Sequence, residues 1–294
     1  MKTGFVGIIG RPNVGKSTLI NSLVGEKVAI VTEKAGTTRN TIHGIYNDLE
    51  SQIIFVDTPG IHKPIDKFGT KLNTQAYYSI EDVDIVIFLV DASEKLGKGD
   101  MFVIELLKKI NKPVFLVINK IDKIKKENIL LKIDEYKNLY EFSEIIPVSA
   151  KEMDNTKRLI EVIKTYLSEG DKYYNENEIT NKSLVFRSGE IVREKLFSLT
   201  KDEVPHNIAC VVEKFSNKKD LLKLDVLIVV ERDSLKKIVI GKNGSMIKEI
   251  GTLARKELEE MFDKKVYLAL YVKTIDKWRS KENKLLDLGY YEVD

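Results

Sequence analysis

The stretch Gly10-Arg11-Pro12-Asn13-Val14-Gly15-Lys16-Ser17 decides how the first half of this chain is read. It follows the apolar run Phe5–Ile9 and precedes Thr18-Leu19-Ile20-Asn21-Ser22-Leu23, the start of a helical pattern. Strand, glycine loop, Lys-Ser and helix form the context that a phosphate-cradling loop requires. Gly10 and Gly15 let the backbone curl so that successive N–H groups point inward at a polyphosphate. The following helix adds the positive end of its dipole. Lys16 carries a mobile charge to the outer phosphates, and the Ser17 hydroxyl suits Mg²⁺. The nucleotide-contacting set is therefore Gly10, Arg11, Pro12, Asn13, Val14, Gly15, Lys16, Ser17 and Thr18. An accidental glycine turn before a helix is the competing reading, and four matched positions weigh against it.

Outward from this loop, β-branched apolar runs recur at Thr41–Tyr46, Gln52–Val56, Ile85–Val90, Val114–Ile118 and Ile145–Val148. Helical patterns lie between most of them, at Lys16–Val24, Lys67–Ile80, Asp100–Ile110, Glu127–Tyr140 and Asn155–Leu167. Strands that are apolar nearly throughout are buried on both faces, which predicts an α/β fold with a mostly parallel six-stranded sheet flanked by helices. Thr41–Tyr46 and Gln52–Val56 are close enough for a hairpin, giving one antiparallel edge strand. Ligands on such sheets bind at the carboxyl ends of the strands.

The remaining motifs fall at those ends. Asp57-Thr58-Pro59-Gly60 follows one strand; its carboxylate suits the Mg²⁺ shell, and the Gly60 N–H reaches a terminal phosphate. Asn119-Lys120-Ile121-Asp122 follows another. Asp122 offers two acceptors to the N1–H and 2-amino group of guanine, a donor pair adenine lacks, so a buried Asp here selects the base. Asn119 ties this loop to the phosphate loop, and the Lys120 stem covers the base face. Ser149-Ala150-Lys151 supplies an Ala150 N–H for the guanine O6. Ala35-Gly36-Thr37-Thr38-Arg39 sits in a polar loop, where Thr38 closes over the γ-phosphate and completes the metal shell. Ser17, Thr38 and Asp57 are the expected Mg²⁺ residues.

In order and placement these motifs resemble the small GTPase fold across residues 5–151. The position after Gly60, which holds a water-orienting Gln in many such enzymes, is Ile61 here, counted among the nucleotide contacts. His62 is a weak substitute, because a lone His in a loop is more often solvated. GTPases resembling this one, with Asn at the position of Asn13 and a TxxxGTT loop like Thr32–Thr38, use bound K⁺ where others use an arginine finger. The resemblance implies that Asn13 Oδ1 and the loop around Thr32 hold K⁺, offsetting charge that develops during transfer. Asn13, Lys16, Thr38 and Gly60 form the catalytic set, with Arg11 and Arg39 as surface or phosphate-neighbour charges.

Residues 169–180, EGDKYYNENEIT, are polar and break the periodicity. They are read as a linker between a first domain (1–168) and a second (181–294), with two tyrosines available to dock it. The second domain reads α-β-β-α-α-β: a helix over Ser183–Ser198, strands over Asn207–Phe215 and Leu222–Val230, then Leu235–Ile240, Gly241-Lys242-Asn243-Gly244, a helix from Ser245 to about Glu260, and a strand over Val266–Val272. A Gly-x-x-Gly loop between short helices beside a three-stranded sheet resembles the bacterial, type II, KH fold. The glycines admit a nucleic-acid backbone, and Lys242 meets its phosphates. Ile240 and Ile247 form apolar platforms beside Asn243 and the two glycines. Arg232, Lys236, Lys237, Lys242 and Lys248 fall within seventeen residues opposed only by Asp233.

Composition sets limits on the class. The chain has 294 residues, 43% hydrophobic and 32% charged, with a net charge of +3 and the single cysteine Cys210. One cysteine excludes a disulfide framework and a cysteine metal cluster. The start, MKTGFVGIIGRPN, lacks the apolar segment of a secretory signal, and a cytoplasmic protein is expected. Residues 181–294 carry 23 Lys and Arg against 19 Asp and Glu, an excess that matters only because it clusters.

A GTPase domain followed by one KH domain resembles the Era family over essentially the whole chain. GRPNVGKSTL, AGTTR, DTPGIH, NKID, SAK, VIGKNGSMIKEIG and LGYY carry the match. The resemblance implies a monomeric bacterial GTPase in 30S subunit assembly that binds GTP or GDP and holds the 3′-terminal region of 16S rRNA, with GTP favouring RNA binding. It also implies weak peripheral contact with the inner membrane. A tRNA-modification GTPase would need a helical domain and a C-terminal cysteine motif. An RNA-binding module with a non-hydrolysing site would not need intact Lys16, Ser17, Asp57 and Asp122.

Overall fold

The apolar run before the glycine loop forms β1 (Lys2–Ile9), and the loop opens into α1 (Lys16–Val24). A computed structural model of the chain describes residues 1–34, 36–60, 67–201 and 204–290. These fold as two units, Met1–Val31 with Thr38–Asn181 and Thr32–Thr37 with Lys182–Asp294.

The first unit continues with β2 (Ile42–Asn47), β3 (Ser51–Asp57), α2 (Lys67–Glu81), β4 (Ile85–Asp91), α3 (Lys98–Leu107), β5 (Val114–Asn119), α4 (Lys126–Tyr136), β6 (Glu144–Pro147) and α5 (Thr156–Tyr166). The strands form one sheet in the order β2-β3-β1-β4-β5-β6. Only β2 runs antiparallel, paired with β3. Alternate strand residues enter opposite cores, as the twofold period of a strand requires. Ile8, Phe55, Ile87 and Val117 meet α1 and α5 through Leu19, Ile20, Leu159 and Ile163. Ile9, Val56, Phe88 and Leu116 meet α2, α3 and α4 through Ala76, Ile80, Ile104 and Tyr136. The carboxyl ends of β1, β3, β5 and β6 lead into the four loops of interest.

Two helices differ from their expected bounds. α3 begins at Lys98 because Asp100, in its first turn, accepts the Gly97 N–H at 2.9 Å and caps the end. α4 stops at Tyr136, and the chain turns so that Leu139, Tyr140 and Phe142 pack on the second core. The segment 169–180 is bound to the first unit. Glu169 pairs with Lys2, and Thr180 with Gly44. The fully buried Gln52 accepts the N–H groups of Tyr173 and Tyr174 at 2.7 and 3.0 Å and donates to the Tyr174 carbonyl at 2.9 Å. Tyr173 stands edge-on to Phe5 at 4.8 Å. Both tyrosines dock, so this stretch is an edge of the first unit where a linker was expected.

In the second unit, α6 (Leu184–Leu199) starts at Ser183, whose Oγ accepts the Phe186 N–H. It is followed by β7 (Ile208–Asn217), β8 (Leu221–Val230), α7 (Asp233–Ile240), α8 (Ser245–Phe262) and β9 (Lys265–Thr274). β7 and β8 pair antiparallel, β8 and β9 parallel. Val192, Leu196, Leu235, Val239, Ile250 and Ala254 bury one face of this sheet. Sequence periodicity missed the closing element: a 3₁₀ turn at Trp278–Ser280 and α9 (Glu282–Asp287). Trp278 is completely buried, stacked on Tyr290 at 5.7 Å.

Candidate functional site

The glycine loop has the close approaches its residues were expected to allow. A Cβ on Gly10 would lie 2.4 Å from the Leu89 carbonyl oxygen, and one on Gly15 would lie 2.3 Å from Asn119 Nδ2. Gly15 and Asn13 have φ of 100° and 66°, the left-handed region that turns the chain back on itself. Pro12 lies against Gly60, where a Cβ would come within 3.1 Å of it. Val14 is buried, and Thr18 sits in the first turn of α1. Lys16 folds over the loop, donating to the carbonyls of Gly10 and Arg11 at 3.3 and 3.0 Å. Burial pushes its ammonium down to about 8, partly opposed by Asp57. A polyphosphate restores that charge by supplying the anion that burial withholds.

The three expected metal residues converge. Ser17 Oγ donates to Asp57 Oδ2 at 2.8 Å, Thr38 Oγ1 reaches the same oxygen at 3.2 Å, and the two hydroxyls are 3.1 Å apart. Asp57 is completely buried, and burial pushes its carboxyl up, with Lys16 and the two hydroxyls pulling it down. Its other oxygen, Oδ1, is buried with no hydrogen-bond partner among the described residues. An orphaned carboxylate oxygen beside two hydroxyls is the hard, all-oxygen set that Mg²⁺ takes. Thr58 is anchored to the Ile8 carbonyl at 2.8 Å, and Pro59 is buried. Ile61, His62 and Ala35 lie outside the described residues.

Both arginines are engaged within the protein. Arg11 pairs with Glu94 and with the fully buried Asp100, its Nε 3.1 Å from Oδ1. Arg39 is buried, its guanidinium 5.7 Å from the Phe68 ring. The paired Arg11 side chain leaves its backbone as the part that serves the loop.

On the base side, Asn119 is the tie that was expected. Its Nδ2 donates to the Val14 carbonyl at 2.8 Å, and its Oδ1 accepts the Ala150 N–H at 3.0 Å. That second bond gives the Ala150 N–H a partner in Asn119 and joins two loops. Lys120 donates to the Asn13 carbonyl at 2.7 Å and pairs with Asp91 at 2.6 Å. Burial alone would raise the Asp91 carboxyl, but hydrogen bonds from Lys120 and Ser93 hold it below the usual range. Sequence reasoning missed Asp91; its signal was its place as the last residue of β4, opposite Asn119. Asp122 is exposed where burial was expected, with Ser149 Oγ donating to its Oδ1 at 2.5 Å. Its desolvation therefore has to come from the base itself. Lys151 is exposed beside Glu152.

The second unit holds the Gly-x-x-Gly loop. α7 ends at Gly241, φ 74°, where a Cβ would lie 2.7 Å from the Met246 nitrogen. Asn243 and Gly244 are also left-handed, at 52° and 77°, and space around Gly244 is open. Lys237, Lys242 and Lys248 are exposed, while Lys236, Ile240 and Ile247 are half-buried. The one opposing acid, Asp233, accepts the Thr274 hydroxyl at 2.5 Å. This geometry admits a backbone of phosphates and leaves three ammonium groups facing solvent. Within the same unit, Arg193 of α6 donates to the Thr37 carbonyl at 2.6 Å, and the Lys34 ammonium donates to the carbonyls of Phe197 and Thr200. Nothing in the local sequence announced either bond.

Comparison with known proteins agrees with both halves. A family described as "50S ribosome-binding GTPase" matches residues 5–120, and a family described as "KH domain" matches residues 203–279. An Era variant from Aquifex aeolicus, solved with GDP and AlF4⁻, is 43% identical, with 99% of each chain covered and a TM-score of 0.95. Era solved with MgGDPNP and nucleotides 1506–1542 of 16S ribosomal RNA is 42% identical, again with 99% of each chain covered and a TM-score of 0.95. With a nucleotide cradle, an Asp-Ser-Thr oxygen set and a Gly-x-x-Gly loop in one chain, and identity above 40% over nearly all of it, this protein belongs to the Era family of GTPases.

Proposed function

We propose that this protein is a GTP-hydrolysing switch in 30S subunit assembly, holding the 3′-terminal region of 16S rRNA on its Gly241–Gly244 loop. The observation that carries the reading is the coexistence of the Ser17–Thr38–Asp57 cluster with a loop whose geometry requires glycine. The related Era that binds MgGDPNP and 16S rRNA nucleotides supports it. The protein acts as a cytoplasmic monomer; among the described residues no helix is long and apolar enough to cross a membrane. The basic loop is assigned to RNA, with membrane contact weak and peripheral.

Ser17, Thr38 and Asp57 are the residues that hold Mg²⁺, which when bound neutralises charge on the β- and γ-phosphates. Lys16 binds the same oxygens, the Gly10–Ser17 backbone orients them, and the Gly60 N–H meets the terminal phosphate. Asp122 accepts from the guanine edge, and the Ala150 amide, in the loop tied to Asn119, is the donor we assign to O6.

Two experiments test this reading. In crosslinking of the full chain in cells, Gly241→Asp is expected to lose the 16S rRNA 3′ positions recovered with the natural protein. The side chain meets the Met246 nitrogen and adds an anion where phosphates bind. Unchanged RNA recovery would remove the loop from RNA binding. We also assign K⁺ to Asn13: hydrolysis is expected to run at least about tenfold faster in KCl than in NaCl at equal ionic strength, with Asn13→Ala abolishing the difference. Equal rates in the two salts would discard K⁺.

A further inference from the structure

α6, α7 and α8 cover one face of the sheet of the second unit, and the other face carries an unusual set of side chains. Along β9, Val266, Leu268, Leu270 and Val272 turn into the core. The alternate residues Tyr267 and Tyr271 are 59% and 52% exposed, with exposed Lys265 and Lys273 beyond them and the small Ala269 between. The parallel register sets exposed Lys223 of β8 beside Tyr267 and half-buried Leu227 beside Tyr271. Lys223, Lys265 and Lys273 have no ion-pair partner among the described residues. Asp225, the acid of β8 on this face, is paired with Lys214 at 3.4 Å.

We infer that this face is a second RNA site, which takes single-stranded RNA running beyond the stretch clamped by the Gly241–Gly244 loop. The inference rests on the reading that RNA is the ligand of this unit. A Gly-x-x-Gly loop clamps about four nucleotides, so a longer single strand has further bases to place. Two tyrosines on one strand, four residues apart, stand about 13 Å from each other. A stacked strand spaces its nucleotides about 3.4 Å apart, so each ring takes its own splayed base, with Ala269 leaving room between them. Stacking on aromatics with lysines tracking the phosphates is how sheet surfaces hold single strands without reading sequence. A protein partner fits less well, because interface cores are depleted of lysine and Lys265 and Lys273 guard both ends of this edge strand.

The test uses the full chain with Mg²⁺ and a non-hydrolysable GTP analogue, and fluorescence anisotropy on two RNAs. One is about four nucleotides long, filling the loop groove alone; the other is a single strand several times longer. Replacing both tyrosines by alanine is expected to weaken the long RNA by about 5-fold or more per tyrosine, leave the short one unchanged, and be rescued by phenylalanine at both positions. Undiminished long-RNA binding by the alanine variant overturns the inference, as does equal loss on both RNAs or failure of phenylalanine to rescue. Gly241→Asp separates the two readings. If it leaves the short RNA bound, the loop assignment fails on its own. If the natural protein binds neither RNA, both readings fail.

Discussion

Asp122→Asn is expected to exchange the base this protein accepts, weakening GTP by about 10²- to 10⁴-fold and creating affinity for xanthosine triphosphate. Guanine presents N1–H and an amino group, both donors, to the carboxylate. Asparagine keeps one acceptor and turns an NH₂ donor toward the guanine amino group, so two charge-assisted bonds worth about 1.5–3 kcal/mol each are lost. Xanthine carries a carbonyl where guanine carries the amine, and that carbonyl accepts from the new NH₂. Asp122 is exposed and held by Ser149, so the substitution disturbs no core. Competition between the two nucleotides for a fluorescent analogue reads the exchange. Undiminished GTP affinity would move base selection away from Asp122.

Lys16→Met is expected to lower GTP hydrolysis by about 10²- to 10³-fold while raising the melting temperature of the nucleotide-free protein. The first effect follows from removing a fixed positive charge aimed at the transferring phosphoryl group. The second follows from burial. The ammonium is fully buried, and its pKa falls from 10.5 to about 8, a cost of about 3 kcal/mol for carrying charge there. Because the folded pKa is lowered, the unfolded chain holds the extra proton between pH 8 and 10.5. The cost is complete below pH 8 and fades as pH rises through that window. Methionine fills the same space without charge. Scanning calorimetry at pH 7 against pH 10 checks both signs, since the gap between the two proteins should narrow at high pH. A variant that melts lower at pH 7 would show that Lys16 stabilises the empty loop through its bonds to Gly10 and Arg11.

Both predictions concern residues that were legible from the sequence, and the reason is physical. Gly15, Lys16 and Ser17 act through backbone curl and side-chain reach within one turn of chain, so their chemistry is contained in a contiguous word. The strands were legible for a related reason: buried parallel strands are apolar throughout, and β4 and β5 are buried at every position. Partners distant in sequence were not legible. Asp100 grips Arg11 from 89 positions away, and Gln52 binds the backbone of Tyr173 and Tyr174 across more than 120. The bond from the Ala150 N–H to Asn119, 31 positions away, is likewise seen only once the two loops are brought together.

By itself, then, the sequence determined the α/β and KH architecture, the GTPase class, and the position of the glycine loop that we assign to RNA. Each depends on hydrogen-bond chemistry or backbone freedom carried by neighbouring residues. Only the tertiary structure decided that Arg11 is paired with Asp100 and Glu94, that Arg39 is buried, that Asp91 steers Lys120, that residues 169–180 belong to the first unit, that Trp278 closes the second, and that Tyr267 and Tyr271 share an open cationic face. Those outcomes turn on burial and on pairings between distant segments, and a side chain's exposure is settled only when the whole chain has packed around it.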